Sequence, residues 1–490
     1  MKILLINPPY RRLMNTGYAY FPLGLGYVAG VLNENGHNCL IYNGEAPRSD
    51  HEGKPKFKGG DFSSIMSAHQ EYLANLDDEN FFVWRQFEET LSEFNPDMVG
   101  ILVRTPLVNS AKMLNRLIKN WKKNCLIVWG GPHSTVSSDE VMALPEVSFL
   151  VYGEGEYTMV ELAQALETKK SLAGIRGLHY KDNNGKIFKN PKREYIQDLD
   201  KLPFPARDMV AKGDIYVPGA YADLMGSRGC PFQCSYCSAY STWGRKTRYR
   251  SIPSIIKELK LMKDKYHCEI VRFVDDTLTI NRKWVEELCQ ALIKENLSIK
   301  WGCLTRINLI DHDLLKLMVK AGCYRIDVGI ESGSPRILQM MKKGITIKDI
   351  FKGSKLLDKY GFDWTAFFLT GFPYETMEDL KATAKIMKKV NPYRMVLSSF
   401  TPYPGTEEYD RAKSAGVLPE KINWGMYDHN SPHNFFMKNV SKEDYRKFFN
   451  NLSDYVSKRN THRIKGKEIF YLTHPISFIR KALKFLKKRI

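Results

Sequence analysis

The chain has 490 residues, enough for two or three domains, and 43% of them are hydrophobic, enough for a large core. Lys and Arg number 73 against 54 acids, a net charge of +19, but the excess is spread along the chain, so it does not by itself single out nucleic acid, an anionic membrane or an acidic substrate. Nine cysteines are too few for a disulfide scaffold and fit a reducing cytoplasm, no run of 18 apolar residues offers a membrane span, and Met1–Asn7 reads as a strand, not a signal peptide.

The apolar run 2–6, ending at Asn7-Pro8-Pro9, predicts a buried parallel strand, and 23–35 predicts a helix that stops at Gly36. Further strands are expected at 39–42, 98–103, 126–129 and 149–152, with helices at 110–121 and 155–168. This alternation predicts a doubly wound α/β sheet over residues 1–170, whose ligands sit at the carboxyl ends of the strands. Those ends are Asn7-Pro8-Pro9-Tyr10, Arg104-Thr105-Pro106, Gly130-Gly131-Pro132-His133 and Gly153-Glu154-Gly155-Glu156. The glycines of Gly24–Gly30 have the wrong spacing for a dinucleotide fingerprint, and helix packing explains them better. Residues 45–95 interrupt the pattern as a cap or an elaborated crossover.

Residues 171–220, with small strand-like pieces and Leu202-Pro203-Phe204-Pro205, read as an ordered linker. From 221 to 410 six strand–helix units follow, with strands near 222–226, 269–274, 299–304, 324–330, 363–369 and 395–400. They predict a partial barrel, two units short of a closed one. Residues 411–490 are expected to form a small, mainly helical extension. Its Trp424, Tyr427, His429, His433, Phe435 and Phe436 are placed to line a substrate pocket or to pack the barrel mouth. Residues 475–490 hold six Lys or Arg, no acid, and apolar residues at helical spacing. Such a basic amphipathic helix fits peripheral contact with an anionic membrane, docking on a partner, or packing on its own barrel. No nucleic-acid recognition module accompanies it.

After the first barrel strand comes Gly229-Cys230-Pro231-Phe232-Gln233-Cys234-Ser235-Tyr236-Cys237, a C-x3-C-x2-C spacing. Three thiolates suit an iron–sulfur cluster with one iron left open to a small molecule. A structural zinc wants four protein ligands, and no nearby Cys or His completes a set. A chance grouping of structural cysteines is the remaining alternative.

This motif resembles that of the radical S-adenosylmethionine (SAM) family. The resemblance continues through Asp275-Asp276, Glu331-Ser332-Gly333-Ser334 and Gly371-Phe372-Pro373, each after a strand-like run. It implies a [4Fe–4S] cluster on Cys230, Cys234 and Cys237, with SAM chelated to the open iron. Asp275 or Asp276 would accept from the SAM amino group, Arg306 would meet its carboxylate, Glu331 and Ser332 its ribose or carboxylate, and Gly371 the adenine. Tyr236, the aromatic before the third cysteine, belongs to the same motif.

The first domain resembles the cobalamin-binding domain of one branch of that family. Pro8, Arg104, Thr105, Gly130, Gly131, His133, Gly153, Glu154 and Gly155 would then face cobalamin. The Asp-x-His-x-x-Gly that supplies a lower cobalt ligand in many such domains is replaced by Asn7-Pro8-Pro9-Tyr10-Arg11-Arg12, which leaves Arg104 as the side chain expected near the lower face. The resemblance implies a monomeric C-methyltransferase acting on an unactivated carbon through a 5′-deoxyadenosyl radical and methylcobalamin. An external flavodoxin- or ferredoxin-type one-electron reductant would serve it, and a peptide or protein substrate is favoured. The alternatives are a non-methylating reaction (cyclisation, rearrangement or oxidation) with the same cofactors, or methylation of a lipid or small metabolite.

Overall fold

The computed structural model describes residues 1–15, 20–46, 62–182, 184–429, 431 and 434–473. His433 and the basic stretch 475–490 lie outside the described residues.

The N-terminal unit contains β1 (Lys2–Asn7), α1 (Leu23–Glu34), β2 (Asn38–Asn43), α2 (Phe62–Asp77), α3 (Phe82–Phe94), β3 (Met98–Leu102), α4 (Val108–Trp121), β4 (Leu126–Gly130), α5 (Pro132–Val136), α6 (Ser138–Ala143), β5 (Phe149–Val151) and α7 (Glu156–Glu167). Its sheet runs β2-β1-β3-β4-β5 in parallel, with the β2/β3 switch around β1 that places ligands at the strand carboxyl ends. The sheet does not stop there. β6 (Leu178–Lys181) and β7 (Ile187–Lys189), from the expected linker, add antiparallel to β5 and cover its edge.

The rest of the bridge wraps the opposite side. Ala206 N–H donates to Gly26 O at 3.0 Å and Ala211 N–H to Ile41 O at 2.8 Å. A Cβ on Gly26 would lie 2.5 Å from the Phe21 ring, and one on Gly30 would lie 3.1 Å from Phe204 O, so the α1 glycines serve helix packing. Within the insertion, α3 packs on β2 and α4 as a crossover layer, while α2 covers residues 12–14.

The second unit comprises β8 (Asp223–Leu224), β9 (Ser227–Arg228), α8 (Ala239–Trp243), β10 (Arg248–Tyr249), α9 (Ile252–Tyr266), β11 (Ile270–Phe273), α10 (Arg282–Glu295), β12 (Lys300–Thr305), α11 (His312–Lys320), β13 (Cys323–Glu331), α12 (Pro335–Met340), α13 (Ile347–Lys359), β14 (Thr365–Thr370), α14 (Met377–Lys389) and β15 (Arg394–Ser399). Six strands form one all-parallel sheet, β15-β14-β13-β12-β11-β8, an open partial barrel. Capping boxes at Thr346/Asp349 and Thr376/Asp379 start α13 and α14.

The C-terminal extension holds α15 (Glu407–Ser414) and the long α16 (Lys442–Thr473). Along the β15 edge, Asn460 of α16 accepts from Met395 N–H at 3.0 Å and donates to Met395 O at 2.8 Å. Among the described residues no helix is long and apolar enough to cross a membrane.

Candidate active site

The cluster loop leaves β9 and returns through β10, which pair antiparallel through Arg228 and Arg248. Gly229 opens the loop at φ 98°, and a Cβ there would lie 2.5 Å from Lys246 O, so only glycine fits. Ser235, inside the loop, donates to Glu408 of α15 at 2.6 Å, and Glu408 N–H donates back to Ser235 O at 3.1 Å.

Cys230, Cys234 and Cys237 line one cavity of about 210 Å³ with Phe232, Tyr236, Tyr240, Asp276, Arg306, Asp327, Glu331 and Lys343. Burial pushes the Cys237 thiol up to about 11 and raises Cys230 as well. Bound iron would therefore have to displace thiol protons, as thiolate ligation requires. Among the described residues no three His, Cys, Asp or Glu side chains converge on a single ion position. Three corners of a cluster need no such convergence, and three sulfur donors lining one partly polar cavity fit that group.

The strand ends divide the expected SAM-contacting residues. Asp276 faces the cavity, and the protein packed around it raises its carboxyl to about 6. Asp275 does not face it. This 1% exposed carboxylate accepts from Gly226 N–H at 3.0 Å and Ser227 Oγ at 2.5 Å, so it braces the strand that carries the cluster loop. Glu331 ends β13 with φ 66°, a conformation costly for a non-glycine residue and characteristic of functional sites. Its Oε1 accepts from Lys343 Nζ at 2.8 Å and Tyr236 Oη at 3.0 Å. Ser332 is fully buried and caps the turn, with its Oγ 3.1 Å from Thr383 Oγ1 and accepting from Ser334 N–H. Gly371 N–H donates to Glu375 Oε2 at 2.5 Å, and a Cβ there would lie 2.7 Å from Tyr445 Oη; this turn is outside the cavity lining. Arg306 does face the cavity, but its Nη1 donates to Cys234 Sγ at 3.4 Å.

Lys343 went unrecognised in the sequence because Lys342-Lys343-Gly344 reads as a solvated basic turn. It is 6% exposed and donates to Glu331 and to Tyr236 Oη, at 3.1 Å for the latter. Arg228 was also missed, although it adjoins the cysteine motif.

In the first unit, Pro8, Arg104-Thr105, Gly130-Gly131-His133 and Gly153-Gly155 lie at the carboxyl ends of β1, β3, β4 and β5. Gly131 has φ 98°, and a Cβ on it would meet Leu102 at 2.7 Å. His133 is fully buried, its Nδ1 is 3.2 Å from Thr105 Oγ1, and its Nε2 has no protein partner. Burial holds the imidazole neutral, pushed down to about 3, with Lys112 adding to the shift. This orphaned polar atom beside a glycine turn fits a cobalamin with its nucleotide tail lodged there.

Arg104 is exposed in a recess and donates to Tyr20 Oη at 3.2 Å. The loop after β1 is held by Glu45, which accepts from Tyr10, Arg11 and Arg12 N–H at 3.2, 3.0 and 3.3 Å. Glu154, expected at the cofactor, turns away to ion-pair with Arg228 and Arg248 at 2.8 Å each, both contacts buried. Glu156 pairs with the other Arg228 nitrogen at 2.6 Å.

The aromatic tail residues are engaged in packing. Trp424 Nε1 donates to Glu140 at 2.6 Å and its ring stands edge-on to His133 at 5.1 Å. Tyr427 packs on Trp424, and Phe436 on Phe400. His429 O accepts from Ser399 N–H, and Phe435 packs on Tyr445.

Residues 224–387 match the model of the radical SAM superfamily, and residues 62–163 match that of the B12 binding domain. The chain is 33% identical over 431 residues to an uncharacterised methyltransferase of Pyrococcus horikoshii, covering 87% of this chain and 86% of that one. It is 29% identical over 355 residues to the anaerobic magnesium-protoporphyrin IX monomethyl ester cyclase of Rubrivivax gelatinosus, covering 71% and 63%. The solved structure of the radical SAM methyltransferase TsrM from Kitasatospora setae, with cobalamin and a [4Fe–4S] cluster, has the same fold, with a TM-score of 0.64 at 16% identity over 85% of this chain and 75% of that one. With a cysteine-lined cavity in one unit and a glycine-turned sheet end in the other, the chain belongs to the cobalamin-dependent radical SAM enzymes and uses a [4Fe–4S] cluster, SAM and cobalamin.

Proposed function

We propose that the protein is a C-methyltransferase that modifies an unactivated carbon. The observation that carries the reading is the ion-paired contact of Arg228 with Glu154 and Glu156, which holds the cysteine loop of one unit against a strand-end loop of the other. Cofactors bound to the two units would then be brought together to serve one acceptor. When bound, the cluster supplies the electron that cleaves SAM and cobalamin carries the methyl group.

The chain's own residues bind and orient. Cys230, Cys234 and Cys237 hold the cluster, and Asp276 accepts from the SAM ammonium. The Lys343–Glu331–Tyr236 group offers both a cation and acceptors to the rest of SAM. His133 and Thr105 would hold bound cobalamin from the strand ends, and the Arg104 guanidinium, which does not readily ligate metal, would meet it without ligating cobalt. An external one-electron reductant serves the cluster.

The expected peptide acceptor rested on the 411–475 segment and the basic terminal helix, and the latter lies outside the described residues. Trp424, Tyr427 and Phe436 are engaged in packing, so acceptor class is assigned by labelling. Cells with and without the gene are fed methyl-deuterated SAM. A gene-dependent gain of about 17 daltons, a CD3 group less the hydrogen it replaces, in a peptide, lipid or soluble metabolite confirms methylation and names the class. Formation of 5′-deoxyadenosine without label transfer overturns methylation in favour of a cyclase-type or other radical reaction. The Cys230, Cys234 and Cys237 triple Ala variant should lose its roughly four irons and its SAM cleavage; retained cleavage would refute the cluster assignment.

A further inference from the structure

Arg306 follows β12 directly and is 5% exposed. Each contact of its guanidinium leads to the cluster loop or to the turn beside it. Nη1 donates to Cys234 Sγ at 3.4 Å, and Nη2 donates to Lys343 O. The guanidinium carbon stands 3.9 Å from the centroid of the Phe232 ring, which lies between Cys230 and Cys234 in sequence. Nε is buried without a partner. Lys343, by contrast, presents its cation to Glu331 and Tyr236 on the cavity wall.

We infer that Arg306 is a tuning residue for the cluster: its fixed charge and its N–H···S bond to Cys234 make the cluster easier to reduce. The inference rests on the assignment of the cluster to Cys230, Cys234 and Cys237. One-electron reduction, with the electron delivered by an external donor, adds negative charge to the cluster and its thiolate ligands. A cation held against one ligand stabilises the reduced form more than the oxidised one, and hydrogen bonds to sulfur shift potential in the same sense. Burial strengthens both effects. Phe232 supplies geometry: a ring face against a planar cation keeps Nη1 aimed at sulfur.

The test is a redox titration of reconstituted protein without SAM, followed by electron paramagnetic resonance of the reduced cluster, with iron and sulfide counted in each variant. Arg306→Gln should lower the reduced-to-oxidised ratio at fixed poise by about tenfold, the size expected for one charge-assisted bond, equivalent to about 59 mV for a one-electron couple. Arg306→Lys should lose only part of that. Phe232→Leu, which leaves the charge in place, should shift the ratio in the same direction by less. If Arg306→Gln fails to load four irons, the Arg306→Lys and Phe232→Leu comparison carries the decision. Unchanged potentials in loaded variants would overturn the inference, as would weaker SAM binding as the sole effect, which would return Arg306 to the SAM carboxylate. Loss of iron from the triple cysteine variant is scored separately, so failure of the cluster assignment is distinguishable from failure of the tuning.

Discussion

Arg228 and Glu154 meet at 2.8 Å with side chains each 2% exposed, one on the strand leading to Cys230 and the other on the loop after β5. Arg248 and Glu156 complete a balanced set of two cations and two anions. Arg228 is also flanked by Tyr27 and Trp243, at 5.2 and 4.8 Å from their ring centroids. Buried pairs of this kind offer geometric definition more than net stability, because desolvation offsets their attraction.

Breaking the pair from one side should therefore be costly. Glu154→Gln leaves Arg228 and Arg248 short of one negative charge, and a loss of about 3–5 kcal/mol is expected. Calorimetry should show a lower unfolding temperature, and gel filtration of the loaded protein should show cobalamin and iron lost together. Loss of neither would mean that the contact is dispensable.

Lys343 gives the second expectation. Lys343→Met removes the cation from Glu331 and Tyr236, and SAM affinity should fall about ten- to hundredfold, the range for a lost charged hydrogen bond. Lys343→Arg should restore part of it. Equilibrium dialysis of reconstituted protein reads the change, and iron content should stay at the wild-type level.

His133 offers a pH-independent contact. Its imidazole, held near 3 by burial, remains neutral from pH 5 to 8, so cobalamin affinity should be flat across that window. His133→Ala should weaken binding about tenfold, one hydrogen bond's worth, and His133→Gln by less. Absorbance titration with hydroxocobalamin measures both. A step in wild-type affinity near pH 6.5 would show that the ring titrates normally.

Glu375 makes stability fall with pH. Burial raises its carboxyl to about 8 against 4.5 for a free glutamate, while Gly371 and Phe372 N–H donate to it. The folded state thus keeps a proton that the unfolded state releases between about pH 4.5 and 8, and stability declines through that interval as pH rises. Glu375→Gln keeps the acceptor and removes the titration. Its unfolding temperature relative to wild type should rise from pH 5 to pH 9; a constant difference would contradict the shift.

The sequence was legible wherever local pattern decides structure. The barrel strands follow apolar runs and appear within a few residues of their expected positions, and the helices between them start at caps such as Thr346 and Thr376. The cysteine spacing located the cavity because loop ligands are contiguous. Position within a strand end was not legible. Asp275 and Asp276 are adjacent in the loop after β11, yet one is tied to Gly226 and Ser227 under the cluster strand and the other lines the cavity, a split that only the folded loop decides. Glu154 looked like part of a cofactor loop because its partner, Arg228, lies 74 positions away. The extra strands β6 and β7 looked like linker because they are short, and only the pairing of β6 with β5 and of β7 with β6 defines them.

The bond pair between Asn460 and Met395 bears on how an unclosed barrel survives in a crowded solution. A sheet that ends at β15 presents a row of amides able to template pairing with any extended chain, the usual first step of aggregation. One primary amide from α16 occupies the donor and acceptor of Met395 as the backbone of a seventh strand would. With Ser399 N–H taken by His429 O, two points along this edge are closed to an incoming strand by side chain and loop, where a closed barrel would use its next strand.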